Sequence, residues 1–185
     1  MTQKIRAVVT GAAGKMGGRM IALVREAPDF VLVGATERPG HPALGRDAGE
    51  VAGAGAAGVK VADALAPLLP GADVAIDFTA PEASVAHVRA AATAGRAIVG
   101  GTTGLSKEHL AEIRTHAQRT AAVVSPNMSV GVNVLFRLLA EAARLLGEDY
   151  DIELFEAHHR FKKDAPSGTA LKMAQVLAEA LGRDL

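Results

Sequence analysis

The sequence contains no cysteine and no tryptophan, and its aromatic residues are five phenylalanines and one tyrosine. The lack of cysteine excludes disulfides, thiolate catalysis and cysteine-ligated zinc. The 20 lysines and arginines balance 20 aspartates and glutamates, so the basic surplus and the stacking rings of nucleic-acid binders are both missing. The sequence also lacks a signal-peptide pattern and an apolar run that could span a bilayer. We expect no nucleic-acid partner, no membrane partner and a cytoplasmic location.

Short apolar runs alternate with amphipathic stretches over the first two thirds of the chain. The runs predict strands at 5–10, 30–35, 74–78, 97–99 and 121–124, with helices between most of them. Segment 40–58 is rich in glycine, proline and polar residues and is predicted to be a long loop. Alternation of this kind indicates an α/β fold with a doubly wound, parallel, Rossmann-type sheet.

The sequence also marks where two of these helices begin. Thr79 and Glu82 have the spacing of a capping box around Pro81, which suits the first turn of a helix. Ser106 precedes another helical stretch and is predicted to cap it. Both predictions concern loops that follow predicted strands.

The pattern of the sequence changes near Asn127. The later part predicts a helix at 132–146, a strand at 151–158 and a second helix capped by Ser167. We therefore predict a dinucleotide-binding domain at 1–127 and a smaller α+β domain at 128–185.

A glycine-rich turn joins the first predicted strand to the first predicted helix. Gly11, Gly14 and Gly17 form a variant of the G-x-G-x-x-G spacing of dinucleotide-binding proteins. Such glycines allow a tight turn, close approach of backbone N–H groups to phosphate and close packing of the helix. We predict that the turn binds the pyrophosphate of a nicotinamide cofactor, although plain turns carry such glycines too. The candidates between them are Ala12, Ala13, Lys15 and Met16.

An acidic residue follows the second predicted strand. Glu37 comes twenty residues after Gly17, where a carboxylate can accept hydrogen bonds from the adenosine ribose. Arg38 could accept the 2′-phosphate of NADPH, so either NADH or NADPH remains possible as the cofactor. The alternatives are a surface glutamate at a strand end and an exposed arginine without a function.

Two further loops follow predicted strands. Ligands of open α/β sheets lie beyond the carboxyl ends of the strands, so both loops are expected to border the nicotinamide. As strand-end loops they are otherwise ordinary. Their candidate residues are Gly101, Thr102 and Thr103 in the first, and Ser125, Pro126, Asn127 and Met128 in the second.

Segment 158–163 concentrates positive and titratable groups in a chain of zero net charge. Ser167 follows as a predicted N-cap, so the N–H groups of Gly168, Thr169 and Ala170 would form an anion site. Together these features favour a carboxylate or phosphate substrate, with histidine as a proton donor or acceptor. The alternative is a solvated basic turn. We expect no metal, because neighbouring histidines on a strand point to opposite faces.

The sequence resembles the 4-hydroxy-tetrahydrodipicolinate reductase family, also called the dihydrodipicolinate reductase family, over essentially its whole length. The resemblance rests on EAHHR at 156–160, on Lys162, on DAPSGTA at 164–170 and on landmarks in the same order. These landmarks are the Gly11 turn, 37–38, 77–79, 101–104 and 127–133. The family transfers hydride from NADH or NADPH to a cyclic dicarboxylate in lysine and diaminopimelate biosynthesis.

The resemblance assigns roles to individual residues. It implies that His158 is the proton donor and Lys162 the second catalytic residue, and it gives Lys163 no role. It also implies a homotetramer, and a second domain that binds substrate and forms the oligomer. Relative to the family that domain is expected to be incomplete, because members continue beyond residue 185. Cofactor binding is implied for Phe78, and substrate binding for His159, Ser167, Gly168 and Thr169.

Two other functions remain open on the sequence alone. A non-catalytic protein that binds a nicotinamide dinucleotide would share the glycine turn but would not need a proton donor. Another two-domain carbonyl dehydrogenase would share both domains, although the absence of cysteine disfavours the acylating type.

Overall fold

The computed structural model describes residues 3–160 and 165–185. The first part of the chain forms six short strands, most of them apolar as expected for strands buried on both faces. They are β1 (Ile5–Thr10), β2 (Phe30–Thr36), β3 (Val61–Ala62), β4 (Val74–Asp77), β5 (Ala97–Gly100) and β6 (Ala122–Val124).

Six α-helices lie among the described residues, and none is long and apolar enough to cross a membrane. They are α1 (Lys15–Glu26), α2 (Ala48–Val51), α3 (Pro81–Thr93), α4 (Lys107–Ala117), α5 (Val130–Leu146) and α6 (Gly168–Leu181). The short helix α2 lies in the segment that was predicted to be a loop. It forms because the Asp47 carboxylate accepts hydrogen bonds from the N–H groups of Gly49 and Glu50.

The six strands form one parallel sheet in the order β3-β2-β1-β4-β5-β6. The prediction of a doubly wound parallel α/β sheet is therefore confirmed. The strand order reverses between β1 and β4, and open α/β sheets bind ligands at such a point, beyond the carboxyl ends of the strands. The loops that follow β1 and β4 are therefore the expected place for a ligand.

Apolar side chains cover both faces of the sheet. Val8 packs in a cluster with Leu69 and Val88, whereas its neighbours in β1 pack in a second cluster with Ile21 of α1. Side chains of a strand alternate between the two faces, so β1 contributes to both clusters. The two clusters hold β1 in the centre of the sheet, which places the loop after it.

The chain forms two compact units, one ending at Ser125 and the other beginning at Pro126. In the second unit α5 and α6 contact each other. The predicted strand at 151–158 is wrong, because the structure assigns no strand to these residues. A strand needs a hydrogen-bonded partner, and no other described segment pairs with this one.

The predicted capping box at the start of α3 is also wrong. The N-cap is Ala80, which has no side-chain hydrogen bond to the helix. The Thr79 hydroxyl instead donates to the Asp77 carboxylate at 2.7 Å. A buried acceptor with no access to water competes more strongly for this hydroxyl than an exposed helix end does. The prediction that Ser106 caps α4 is confirmed, with His109 as its capping-box partner.

An ion pair joins the start of β1 to the start of β4. The Arg6 guanidinium lies 2.7 Å from the Asp73 carboxylate, and the backbone N–H of Arg6 donates to the same carboxylate at 2.8 Å. The hydrogen bond from the Arg6 side chain is the largest of the effects that lower the pKa of Asp73 to about 2. The pair therefore favours the charged carboxylate in the folded protein.

This ion pair predicts how stability depends on acid. Because folding lowers the pKa of Asp73, its contribution is complete above the unfolded value near 4 and is lost as the pH falls towards 2. Asp73→Asn is expected to lower stability at pH 6 and to reduce the loss between pH 4 and pH 2. Urea unfolding across this range measures both effects. Asp29→Asn, at an exposed carboxylate that makes no ion pair with another described residue, is the control.

Candidate functional site

The glycine turn after β1 packs its backbone atoms closely. Gly11 has a φ of +68°, which favours glycine, and its carbonyl accepts the N–H of Gly14 at 2.9 Å. A Cβ atom on Gly17 would lie 1.9 Å from the same carbonyl oxygen. Only glycine at this position lets α1 start against the turn. The first-turn N–H groups of α1, including those of Lys15 and Met16, have no acceptor within the helix, as a phosphate site requires.

The carboxylate of Glu37 connects the end of β2 to the glycine turn. It accepts the N–H of Ala13 at 3.1 Å and that of Arg38 at 2.9 Å. The backbone of Ala12 makes a parallel connection, donating to the carbonyl of Thr36 at 2.9 Å. Each carboxylate oxygen has a second lone pair, so Glu37 can still accept a hydrogen bond from a hydroxyl group of a ribose.

A cleft of about 500 Å³ lies at the carboxyl ends of the strands in the first unit. Five of the predicted cofactor residues line it: Gly11, Gly14, Glu37, Arg38 and Phe78. The other lining residues were not predicted from the sequence. They are Thr36, Pro39, Asp63, Ala64, Leu65, Thr79, Ala80, Ala83, Ala86 and His87.

The carboxylate of Asp77 forms the centre of a buried polar network beneath this cleft. Its side chain is 1% exposed. Four side chains bind it: Thr10 Oγ1 at 2.6 Å, Thr79 Oγ1 at 2.7 Å, His87 Nδ1 at 3.0 Å and Ser84 Oγ. The network therefore connects β1, β4 and α3 at the point where the strand order reverses.

Burial and hydrogen bonding act in opposite directions on this carboxylate. Burial raises the pKa of Asp77. The hydrogen bonds from His87, Ser84 and the two threonines together lower it by more, so the net pKa lies below the usual range. A buried carboxylate is stable as an anion only when such donors surround it. Asp77 therefore accepts hydrogen bonds at neutral pH and orients each of the donors.

The loop after β5 reaches the network through Thr102. Its Oγ1 accepts the N–H of Thr79 at 3.1 Å and is hydrogen-bonded to Ser84. A Cβ atom on Gly101 would lie 1.9 Å from the ring of Phe78, so the ring packs directly on this glycine. Thr103 is exposed. This loop contributes no residue to the lining of the cleft.

The other predicted cofactor loop divides between the two units. Ser125, the last residue of the first unit, donates its N–H to the carbonyl of Gly100 at 3.0 Å. Pro126, Asn127 and Met128 begin the second unit. There the Asn127 side chain accepts the N–H of Ser129 at 2.9 Å and donates to the Thr169 hydroxyl at 3.1 Å.

Ser167 caps helix α6, as the sequence predicts. Its hydroxyl accepts the N–H of Ala170 at 3.1 Å, so this N–H is not free for an anion, contrary to the prediction. Gly168 and Thr169 are the first two residues of the helix, and N–H groups in a first turn have no acceptor within the helix. The predicted anion site is reduced to these two residues.

The carboxylate of Glu156 lies beside both halves of the predicted substrate site. It accepts the N–H of Ser167 at 2.7 Å, and its other oxygen is 3.3 Å from Nδ1 of His158. No role was predicted for this residue from the sequence. His159 is exposed. The predicted catalytic Lys162 and its neighbour Lys163 lie outside the described residues.

Sequence reasoning missed Glu156, Asp77 and His87 as parts of a site. An acid at the end of a predicted strand was a usable signal for Asp77, since ligands bind at strand ends. His87 gave no such signal, because its distance from Asp77 depends on how α3 packs on the sheet. Among the described residues, no group of three histidines or carboxylates could hold a metal ion.

The comparisons with known families cover nearly the whole chain. A family model described as "Dihydrodipicolinate reductase, N-terminus" matches residues 5–128, and one described as "Dihydrodipicolinate reductase, C-terminus" matches residues 131–184. A protein named 4-hydroxy-tetrahydrodipicolinate reductase from Anaeromyxobacter dehalogenans (strain 2CP-C) is 54% identical over 178 residues. The alignment covers 96% of this chain and 66% of that protein.

A second relative of the same name, from Syntrophus aciditrophicus (strain SB), is 53% identical. The alignment covers 98% of this chain and 68% of that protein. The chain thus spans about two thirds of the length of the curated relatives it matches.

Two solved structures resemble the chain, with different sequence identities and TM-scores. The dipicolinate-bound dihydrodipicolinate reductase from Paenisporosarcina sp. TG-14 has a TM-score of 0.74 and 29% identity, covering 96% of this chain and 67% of that one. The WlbA dehydrogenase from Bordetella pertussis, solved with NADH and UDP-GlcNAcA, has a TM-score of 0.57 and 19% identity. The match covers 77% of this chain and 43% of that one, and at this identity it shows the fold alone.

The glycine turn predicts different effects for two neighbouring glycines of α1. Gly17→Ala is expected to lower stability by about 1–3 kcal/mol and to weaken NADH binding, because the new methyl group collides with the Gly11 carbonyl. Gly18→Ala is the control, since its Cβ would meet nothing closer than 3.6 Å and alanine favours a helix by up to about 1 kcal/mol. Thermal unfolding and NADH fluorescence measure the two effects. Equal NADH affinities for the two variants would contradict the prediction.

Proposed function

The chain belongs to the dihydrodipicolinate reductase family, and from this we propose that it reduces 4-hydroxy-tetrahydrodipicolinate to tetrahydrodipicolinate with NADH or NADPH. The observation that carries the proposal lies in the second unit. Glu156 binds both the N–H of Ser167 and the ring of His158. A titratable group is therefore held beside a helix N-terminus, as a substrate with carboxylates and a protonation step requires.

The first unit fits a nicotinamide dinucleotide. The close backbone packing at Gly17 leaves the N–H groups of the first turn of α1 open to a pyrophosphate. Glu37 would bind the ribose hydroxyls and Arg38 a 2′-phosphate, so the chain is proposed to use either cofactor. The remaining proposed contacts are Ala12, Ala13, Phe78, the 101–103 loop and the 125–128 loop. When bound, the reduced nicotinamide supplies the hydride.

The second unit would hold the dicarboxylate. The N–H groups of Gly168 and Thr169, with the hydroxyl of Thr169, would bind one carboxylate at the start of α6. His159 and Lys162 are proposed to bind the second carboxylate of the substrate. Asn127 holds the Thr169 hydroxyl at 3.1 Å, which orients that group.

His158 is proposed to provide the proton of the reaction, with Lys162 as the second proton-transfer group. The 4-hydroxyl group of the substrate leaves as water together with a hydrogen of the neighbouring ring carbon. The hydride and one proton then add to the double bond that this loss creates. The Glu156 carboxylate lies 3.3 Å from Nδ1 of His158 and orients the ring, as a positioned proton donor requires.

The family resemblance also supports a location and an oligomeric state. We propose that the protein acts in the cytoplasm, as a biosynthetic enzyme without a membrane partner would. We further propose a homotetramer, to which the second unit contributes. Light scattering of the purified protein tests the oligomer directly.

The proposed role of His158 predicts a large effect on turnover. His158→Gln is expected to lower kcat by about 10²–10⁴-fold, the usual contribution of a positioned proton donor. Its affinity for NADH should not change, because His158 is not among the proposed cofactor contacts. Oxidation of NADH with freshly prepared substrate measures kcat, and NADH fluorescence measures binding.

Three other outcomes would change the proposal. If the His158→Gln variant kept the wild-type kcat, His158 would not be the proton donor. Binding of NADH by the wild type without any turnover would favour a non-catalytic binding protein. Faster turnover with another carbonyl substrate would indicate a different dehydrogenase.

A further inference from the structure

The ring of His87 is held from one side only. Its Nδ1 lies 3.0 Å from the Asp77 carboxylate, which is buried and has a lowered pKa. A carboxylate only accepts hydrogen bonds, so Nδ1 carries the proton of the neutral ring. Nε2 then presents a lone pair, and no other described residue is hydrogen-bonded to it. The His87 side chain is 20% exposed and lines the cleft.

The wall around His87 suits a flat ring. Ala83 lies one helical turn before it, on the same face of α3, and both Ala83 and Ala86 line the cleft. Their methyl groups leave the wall shallow. Ala64 and Leu65, which follow β3, line the same cleft. The lining from α3 and from the segment after β3 is therefore apolar except for the His87 ring and the Asp63 carboxylate.

The position of Glu37 identifies which part of the cofactor would enter this cleft. In the proposed function Glu37 binds the adenosine ribose at the end of β2, and the adenine base is attached directly to that ribose. The cleft that Glu37 lines is also lined by α3. We therefore expect the base to enter the cleft that α3 and His87 line.

We propose that His87 is a cofactor-specificity residue whose Nε2 accepts a hydrogen bond from the exocyclic amino group of adenine. The inference rests on the proposed function and deepens it, because it concerns how the same cleft selects the base of the dinucleotide. Asp77 acts through His87 by fixing the ring and its tautomer. Ala83 and Ala86 of α3, and Ala64 and Leu65 after β3, contribute apolar contact.

The test compares ligands that differ only at the base. The wild type is expected to bind reduced nicotinamide hypoxanthine dinucleotide roughly threefold to tenfold more weakly than NADH, the range of one net hydrogen bond. Hypoxanthine has a carbonyl oxygen where adenine has the amino group. Reduced nicotinamide mononucleotide, which lacks the adenosine half, serves as the reference. The fluorescence of the reduced nicotinamide ring, which all three ligands contain, measures the three affinities.

His87→Asn tests the residue itself. The asparagine amide can keep the hydrogen bond to Asp77 but has no atom at the place of Nε2. We expect this variant to bind NADH threefold to tenfold more weakly, to lose the preference for adenine over hypoxanthine, and to bind the mononucleotide as the wild type does. His116→Asn is the matched control, since His116 also faces an acid, Glu112, and is 23% exposed.

The possible failures are distinguishable. If the wild type does not bind NADH at all, the proposed function is wrong and the inference with it. If it binds NADH and the hypoxanthine analogue equally, the inference alone is wrong, and this result needs no variant. If His87→Asn weakens NADH and the mononucleotide by the same factor, His87 has only a structural role.

Discussion

The buried carboxylate of Asp77 is the interaction on which the rest of the candidate cofactor site depends. It lies at the end of β4, where the strand order of the sheet reverses. Hydroxyl groups from β1, from the loop after β4 and from α3 converge on it, and Ser84 extends the network to Thr102. An anion at this depth is tolerated only with a full set of donors. The same donors therefore hold the ends of β1 and β4, the start of α3 and the loop after β5 in one arrangement.

Close backbone approach is the second constraint. Gly17 has no room for a Cβ atom beside the Gly11 carbonyl, and Gly101 has none beside the ring of Phe78. The first contact places the start of α1 on the turn after β1, and the second packs the loop after β5 on the end of β4. The absence of a side chain at these two glycines therefore sets how α1 and the loop after β5 pack. Glu37 in turn connects the end of β2 to the glycine turn. In the second unit Glu156 has a comparable role for His158 and Ser167.

Much of the first unit could be predicted from the sequence because its signals are local. Apolar runs of a few residues gave the positions of five strands, and the spacing of Gly11, Gly14 and Gly17 indicated a tight strand–helix turn. Two of the predictions that were wrong involved a distant or missing group. Thr79 was expected to cap α3, but its hydroxyl binds Asp77. Segment 151–158 has strand-like composition, but no described segment pairs with it.

The sequence by itself therefore determined the class of fold, the glycine turn and the family, because these follow from periodicity and from motifs of adjacent residues. Only the tertiary structure decided that His87 meets Asp77 and that Glu156 meets both His158 and Ser167. Pairs such as His87 and Asp77 are brought together by the packing of a helix on a sheet, and side-chain hydrogen bonds act over only about 3 Å. No pattern along the chain encodes a distance of that kind directly.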